Sequence, residues 1–364
     1  GFWDYGDVMH TYDADRHVWR YDVGGFAWDN SELSSDMWLW YTFLRSGDPK
    51  AFRMAEAMNR HNRDVDIYHL GRFAGFGTRH NVQHWGCSAK QLRISTCMNR
   101  RFHYFLTTDE RTGDVLQEVV EADRQLAVLN ARRKVGFDPT KTDFNEPKNS
   151  NKTRISVGTD YGATVSNWLT AWERTGDPKY RQWIENSMRA IGNAKWGFFT
   201  NRFEFDPVTK QITPPDGELP MASHLSIMFG LPEVVSELIQ LIDIPEFEKA
   251  WLQYCELCNA PESESRKVLG EKYKAPGFPN AHSRIIAYAA DRKKDSSLAT
   301  RAATDFLDHQ WKGWQPKLET EYVDGPHVLN PINEATWVST NQSAQWGLAA
   351  IQASALIPKA ISAA

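Results

Sequence analysis

The residues best suited to chemistry crowd into one stretch, His69-Leu70-Gly71-Arg72-Phe73-Ala74-Gly75-Phe76-Gly77-Thr78-Arg79-His80-Asn81-Val82-Gln83-His84-Trp85-Gly86. It sets three histidines, two arginines, an asparagine and a tryptophan among glycines. Cores rarely hold so many hydrogen-bonding side chains unless each is partnered, and solvated loops rarely carry so many rings. A segment both polar and aromatic, with glycines that admit close backbone approach, suits a cleft for sugars or anions. His80 and His84 fit acid–base roles, because an unperturbed imidazole titrates near neutrality. If the loop enters a helix near His80, their i, i+4 spacing puts both rings on one face. That spacing also suits a metal ion, but the glutamate of H-E-x-x-H is missing. Arg72, Arg79 and Arg93 are candidate carboxylate clamps, since a guanidinium matches a carboxylate with two parallel hydrogen bonds. Asn81 fits the same carboxylate or caps the helix, and Trp85 offers a stacking face.

Further candidates stand where polar segments meet helices. Asp160-Tyr161-Gly162 opens the helix that carries Trp168. Tyr161 becomes an acid or base if an arginine or histidine lowers its pKa; otherwise it is a packed ring. His224 and His282 open later helices, and Trp337 and Asn341 begin the last. The stretch 1–30 gathers Tyr5, Asp7, His10, Arg16, Arg20, Tyr21, Trp28, Asp29 and Asn30 around Gly24-Gly25. It reads as a wall of the cleft, with His10, Tyr21, Trp28 and Asp29 as binding residues and Asn30 as the cap of the first helix.

The elements that must position these residues are helices. Arg45-Ser46-Gly47-Asp48-Pro49-Lys50 is nearly repeated as Arg174-Thr175-Gly176-Asp177-Pro178-Lys179, with a partial copy at Arg111-Thr112-Gly113-Asp114. Gly ends one helix in the left-handed conformation, Asp caps the next, and Pro takes its first position. The product is a tight turn between antiparallel helices. Leu33, Met37, Trp40 and Leu44 recur at helical spacing before the first turn, as do Val165, Trp168, Leu169 and Trp172 before the third. Looser copies follow at Phe229-Gly230-Leu231-Pro232 and between Asp291 and Asp295, and the chain ends in an alanine-rich helix over 341–356. Five or six hairpins at a period of roughly 60 residues signal a repeat architecture. That period exceeds what two helices need, so long connections at 137–160, 200–220, 259–281 and 311–336 must gather on one side. The expected fold is all-α: a closed (α/α)6 toroid over residues 1–364 as one domain, its long loops around one mouth. An open α-solenoid is the alternative, and it would leave its terminal repeats exposed.

Composition narrows the partners. The formal charge of −4 on 364 residues argues against a nucleic-acid binder, and no apolar run is long enough for a membrane span. The 15 Trp, 12 Tyr and 18 Phe serve either sugar stacking or a large helical core, with the core the better account of most of them. Cys255 and Cys258 form a C-x-x-C, but no second close pair exists. Buried thiols are therefore expected rather than a zinc site with Cys87 and Cys97. The chain begins at Gly1 amid motif-dense sequence, and is expected to be a processed protein or a domain cut from a longer one.

Four segments together carry a family resemblance. They are Gly6-Asp7-Val8-Met9-His10, Trp19-Arg20-Tyr21-Asp22-Val23-Gly24-Gly25-Phe26-Ala27-Trp28-Asp29-Asn30, Tyr68-His69-Leu70-Gly71-Arg72-Phe73 and Arg79-His80-Asn81-Val82-Gln83-His84-Trp85-Gly86. They resemble the catalytic domain of exo-acting rhamnogalacturonan lyases and the related YetA-like, Tat-signal-domain proteins. The likeness is clearest over the first ~115 residues. It implies a toroid often flanked by β-rich domains, a secreted or periplasmic setting, and an acidic polysaccharide as partner. It also implies cleavage of a rhamnose–uronate linkage by β-elimination, giving a 4,5-unsaturated uronate. Such a reaction needs a clamp for the carboxylate and its enolate-like charge, a base for the C5 proton and an acid for the C4 oxygen. In a galacturonate these two leave from opposite faces, so base and acid differ; in a glucuronate one residue can serve as both. No organic cofactor is required; a calcium ion could replace a clamp, although no acidic ligand run of the usual kind appears. Two other readings stay open. A glycoside hydrolase on the same toroid would need paired carboxyls, with Asp7, Asp22, Asp29, Asp160 and Glu334 as candidates. A non-catalytic carbohydrate-binding protein would need stacking rings alone.

Overall fold

The structure, a computed structural model, describes residues 12–13, 18–19, 34–64, 66–71, 74–77, 96–127, 152–307, 320–327, 331–335 and 340–364. Among them the helices pair into six hairpins. In the first, α1 (Ser35–Ser46) is followed by α2 (Pro49–Asp64), and in the second α3 (Cys97–Thr107) by α4 (Glu110–Ala122). The third joins α5 (Gly162–Thr175) to α6 (Pro178–Gly192). The fourth breaks its first arm into α7 (Leu225–Met228) and α8 (Leu231–Leu241) before α9 (Pro245–Leu257). A short α10 (Glu262–Leu269) leads to the fifth, α11 (Pro279–Lys293) with α12 (Ser296–Leu307). The sixth is α13 (Thr340–Leu356) with the short α14 (Pro358–Ala363). The first arms form an inner ring and the second arms an outer one.

The turns obey the chemistry of their residues. Gly47 and Gly176 end α1 and α5 at φ +68°, and the Asp177 carboxylate accepts from the Lys179 N–H at 3.0 Å to start α6. The partial copy at Gly113 behaves differently. The second turn falls earlier, at Thr108 (φ 56°) and Asp109, whose carboxylate accepts from the Thr112 N–H at 2.6 Å. Gly113 lies inside α4, where a Cβ would stand 2.8 Å from the Tyr104 ring. Local resemblance to the motif was therefore misleading: the residue is small for packing, not for turning. Among the described residues the first helix begins at Ser35 after Ser34, and Leu44 at its far end is exposed; Asn30, expected as a cap, lies outside the described residues.

Closure of the ring is direct, because α13 packs on α1. A Cβ on Gly347 would fall 2.1 Å from Trp38 Nε1, so the last inner helix meets the first with no room between. Behind that ring, the space between layers is filled by rings of another kind. Trp168 meets Trp183 edge-on at 5.8 Å, and Phe198 packs on Trp251 at 4.9 Å, which in turn stacks on Tyr254 at 5.6 Å. Much of the aromatic content is thus core.

Each connection from an outer helix to the next inner one lies at the end where the inner helices begin. These connections carry most of the strands, and one further pair precedes α1. β1 (Tyr12–Asp13) pairs with β2 (Val18–Trp19). β3 (Thr153–Ser156), β4 (Arg202–Phe205) and β5 (Ile212–Thr213) make a three-stranded antiparallel sheet. β6 (Thr320–Val323) pairs with β7 (Ile332–Ala335). Of the expected long connections, 200–220 and 259–281 are described throughout and are braced by strand pairing and by α10, while 137–160 and 311–336 lie partly outside the described residues.

Candidate active site

Helix N-termini point unsatisfied N–H groups outward and carry partial positive charge. The inner helices all begin at one end, so the mouth of the ring gathers that charge, and it suits a carboxylate-bearing ligand. Below it the axis is plugged. Arg284 of α11 pairs with Glu233 of α8 at 3.0 Å, donates to Gln345 of α13 at 2.9 Å and to the Ile227 carbonyl at 2.6 Å. Gln352 donates to the same Glu233 oxygen, Oε1, at 2.6 Å. Ser34 and Gln345 both donate to the Met228 carbonyl, at 3.0 and 3.3 Å. Four inner segments distant in sequence thereby share one buried polar hub.

One corner of the mouth is formed by His224, Phe278 and His282. Phe278 precedes α11 in the left-handed region, at φ 55°, and its ring lies 5.2 Å from that of His224. His282 Nδ1 is 2.9 Å from the Phe278 carbonyl. A carbonyl only accepts, so Nδ1 carries the proton and Nε2 presents a lone pair. That Nε2 is buried with no hydrogen-bond partner among the described residues, and the same holds for Nδ2 of Asn280 two residues earlier. Burial pulls the His282 pKa down to about 4, so the ring is a neutral acceptor at physiological pH. His224 is exposed, and partial burial of its ring also lowers its pKa.

A second polar cluster lies where α1, α2 and α3 meet. Asp36 accepts from Asn62 Nδ2 at 3.1 Å and from the Met37 N–H at 3.0 Å. Burial pushes its carboxyl up to about 7, against the pull of Arg100, those two donors and its own N–H. Arg100 is fully buried and donates to the Thr96 carbonyl at 2.8 Å, while Asp66 stands 3.5 Å from His61. Asp66 and Thr96 are the two ends of the segment that contains the histidine–arginine run, and the field of Arg100 reaches Asp66 as well as Asp36. None of these residues stood out in the sequence. A lone Asp or Arg on a helix reads as a surface charge until tertiary contact buries it.

The start of that run is anchored to the outside of the ring. Tyr68 donates its N–H to Phe76 at 3.0 Å and accepts from Gly75 at 2.7 Å, a small hairpin with Phe76 in the core. His69 pairs with Glu118 of α4 at 3.0 Å. Of the predicted site residues, His10, Tyr21, Trp28, Asp29, Arg72, Arg79, His80, Asn81, His84, Trp85, Arg93 and Trp337 lie outside the described residues. His224 is at the mouth, as its position before a helix implied. Tyr161 is not on an open face: it is 1% exposed, and its hydroxyl is 3.2 Å from Ser187 of α6. Ser187 spends its own proton on the Ile184 carbonyl, so Tyr161 donates outward to the outer layer, and burial raises its pKa. The geometry is that of a packed ring, not of an acid or base at the mouth.

Asp160 accepts from the Ser156 N–H at 2.9 Å, so this carboxylate is engaged in starting the turn into α5. Cys97, Cys255 and Cys258 are buried free thiols, and burial pushes Cys97 and Cys258 up to about 12. Among the described residues no three histidine, cysteine or acidic side chains gather around one point, and no helix is long and apolar enough to cross a membrane.

Comparison with known proteins agrees with this architecture. Unsaturated glucuronyl hydrolase from Bacillus sp. GL1 superposes with a TM-score of 0.52 at 12% identity, covering 99% of this chain and 94% of that one. A second solved chain, of UGL with dGlcA-Glc-Rha-Glc, gives a TM-score of 0.50 at 13% identity over 99% and 94% of the two chains. At such identities the likeness is one of fold. The uncharacterized protein YetA of Bacillus subtilis (strain 168) is 39% identical over 360 residues, which is 98% of this chain. The chain spans 40% of that relative's length. The PcRGLX-like protein C-terminal alpha/alpha toroid domain matches residues 1–362, and with the closed ring of six hairpins this makes the chain a member of that family.

Proposed function

We propose that this chain is the toroid domain of a polysaccharide lyase that cleaves a rhamnose–uronate linkage by β-elimination, acting from a chain end. The observation that carries the reading is the joining of two things at one end of the ring. The inner-helix N-termini there favour a bound carboxylate. The connection that contains the histidine–arginine segment leaves α2 at Asp66 and enters α3 at Thr96, beside Arg100, which donates to the Thr96 carbonyl and whose field reaches Asp66. In this reading His80 and His84 take the acid and base roles, and Arg72, Arg79 and Arg93, with Asn81, hold the carboxylate as negative charge develops on it. Trp85, His10, Tyr21, Trp28, Asp29, His224 and Trp337 contact the sugars, with His282 Nε2 as an acceptor for a hydroxyl near His224. Tyr161 has no part in it.

The test is ultraviolet absorbance of the protein with rhamnogalacturonan and, separately, with a rhamnose-capped glucuronate glycan. A growing conjugated-alkene band, reduced at least about a hundredfold in rate by His80→Ala or His84→Ala, is expected. New reducing ends without that band would replace the lyase by a hydrolase. Saturable binding without either product would make the domain a carbohydrate-binding module.

A further inference from the structure

Beside the His224–Phe278 corner runs a groove of 730 Å³. One wall is 218–222, which leads to His224; the other is 269–275, which leads to Phe278. Both belong to connections between an outer helix and the next inner one, so the groove lies on the mouth side above α9. Its volume is within the roughly 300–1,000 Å³ of ordinary ligand sites.

The walls are preformed. Trp196 Nε1 donates to the Glu218 carbonyl at 3.0 Å, and the Met221 N–H to the Phe199 carbonyl at 2.9 Å. Opposite, the Tyr273 hydroxyl donates to the Cys258 carbonyl at 2.7 Å, and Asn259 Nδ2 to Gly277 at 2.8 Å. Backbone and inward-facing rings are thus spent on rigidity, and other side chains are left to the groove. Tyr273 is buried while Lys272 and Lys274 on either side of it are exposed, and neither ammonium has an ion-pair partner among the described residues. Glu218 and Glu271, also on its walls, likewise have no ion-pair partner among the described residues. Leu219 and Met221 are 60% and 45% exposed, an apolar rim on a groove of charged groups.

We propose that this groove is a secondary subsite for sugar units of the substrate beyond the one being cleaved. Its chemistry fits an oligosaccharide in which a uronic acid alternates with a deoxy sugar. Carboxylates meet Lys272 and Lys274, hydroxyls donate to Glu218 and Glu271, and a methyl-bearing face covers Leu219 and Met221. The inference rests on the proposed function for its substrate class. It adds that the chain reads several units at once.

The experiment compares the parent with Lys272→Ser/Lys274→Ser on size-fractionated rhamnogalacturonan oligosaccharides, by kinetics and by isothermal titration. These are surface lysines outside the proposed catalytic residues, and equal thermal melts establish that the variant folds. KM and Kd for long oligomers are expected to rise about fivefold, the sum of two exposed charge contacts. For the shortest oligomer that is turned over, KM and kcat are expected to stay unchanged. Weaker titration of long oligomers by the variant supports the groove even if no fraction is turned over, in which case the lyase reading alone fails. Equal Kd for parent and variant at every length overturns the groove. So does a KM that rises equally at all lengths, which would put the lysines at the reacting unit.

Discussion

Asp36 keeps its charge only against its surroundings. Its carboxyl titrates at about 7 in the fold, against an ordinary value of 3.8. The folded chain therefore holds that proton more tightly than the unfolded one. The resulting stabilisation is complete below pH 3.8 and is lost as pH rises toward about 7. Asp36→Asn keeps an acceptor for Asn62 and removes the titration. Urea melts at a series of pH values are expected to show a shallower fall in stability across that window for the variant than for the parent. Parallel curves would mean that Asp36 does not titrate there. A second buried charge has the opposite logic. Lys210 and Asp123, 6% and 2% exposed, pair at 2.5 Å and tie the strand connection before β5 to the end of α4. Lys210→Met leaves a stranded carboxylate and is expected to cost about 3–5 kcal/mol, whereas Lys210→Met/Asp123→Leu restores most of it. A double variant as unstable as the single one would refute the pairing argument.

At the scale of elements, the Gly-Asp-Pro turns were legible because every force in them is local. Gly176 sits at φ +68° with open space around the position of a Cβ, so Gly176→Ala pays only the left-handed penalty, about 1–2 kcal/mol. Thermal unfolding checks this, and a loss well beyond that range would point to a packing role. Gly113 shows where such reading stops. Its neighbours copy the motif, yet Thr108 makes the turn and Gly113 accommodates Tyr104 from the preceding helix. Nothing in four residues of sequence distinguishes a glycine that turns the chain from one that admits a ring. Tyr161 makes the same point for the site: its place before α5 was readable, but its direction was fixed by Ser187 on α6.

The whole molecule depends on contacts that close the circle. Gly347 and Trp38 stand more than three hundred residues apart in the chain and touch. Gly347→Ala is expected to cost about 1–3 kcal/mol by overpacking the seam between α13 and α1. Limited proteolysis is expected to show earlier release of the C-terminal hairpin than in the parent; an unchanged digestion pattern would show that the seam yields without loosening. The sequence by itself determined that the chain is built of helical hairpins, five or six of them, with long connections gathered at one end. Those follow from caps, turns and periodicity, which are properties of neighbours along the chain. It also marked the histidine–arginine run as the densest chemistry. Only the tertiary structure decided which charges are buried. Glu233 and Arg284 became partners, and the field of Arg100 came to act on Asp36, because packing six hairpins in a circle removes water from their side chains, and a buried charge must then find its complement on a neighbouring helix.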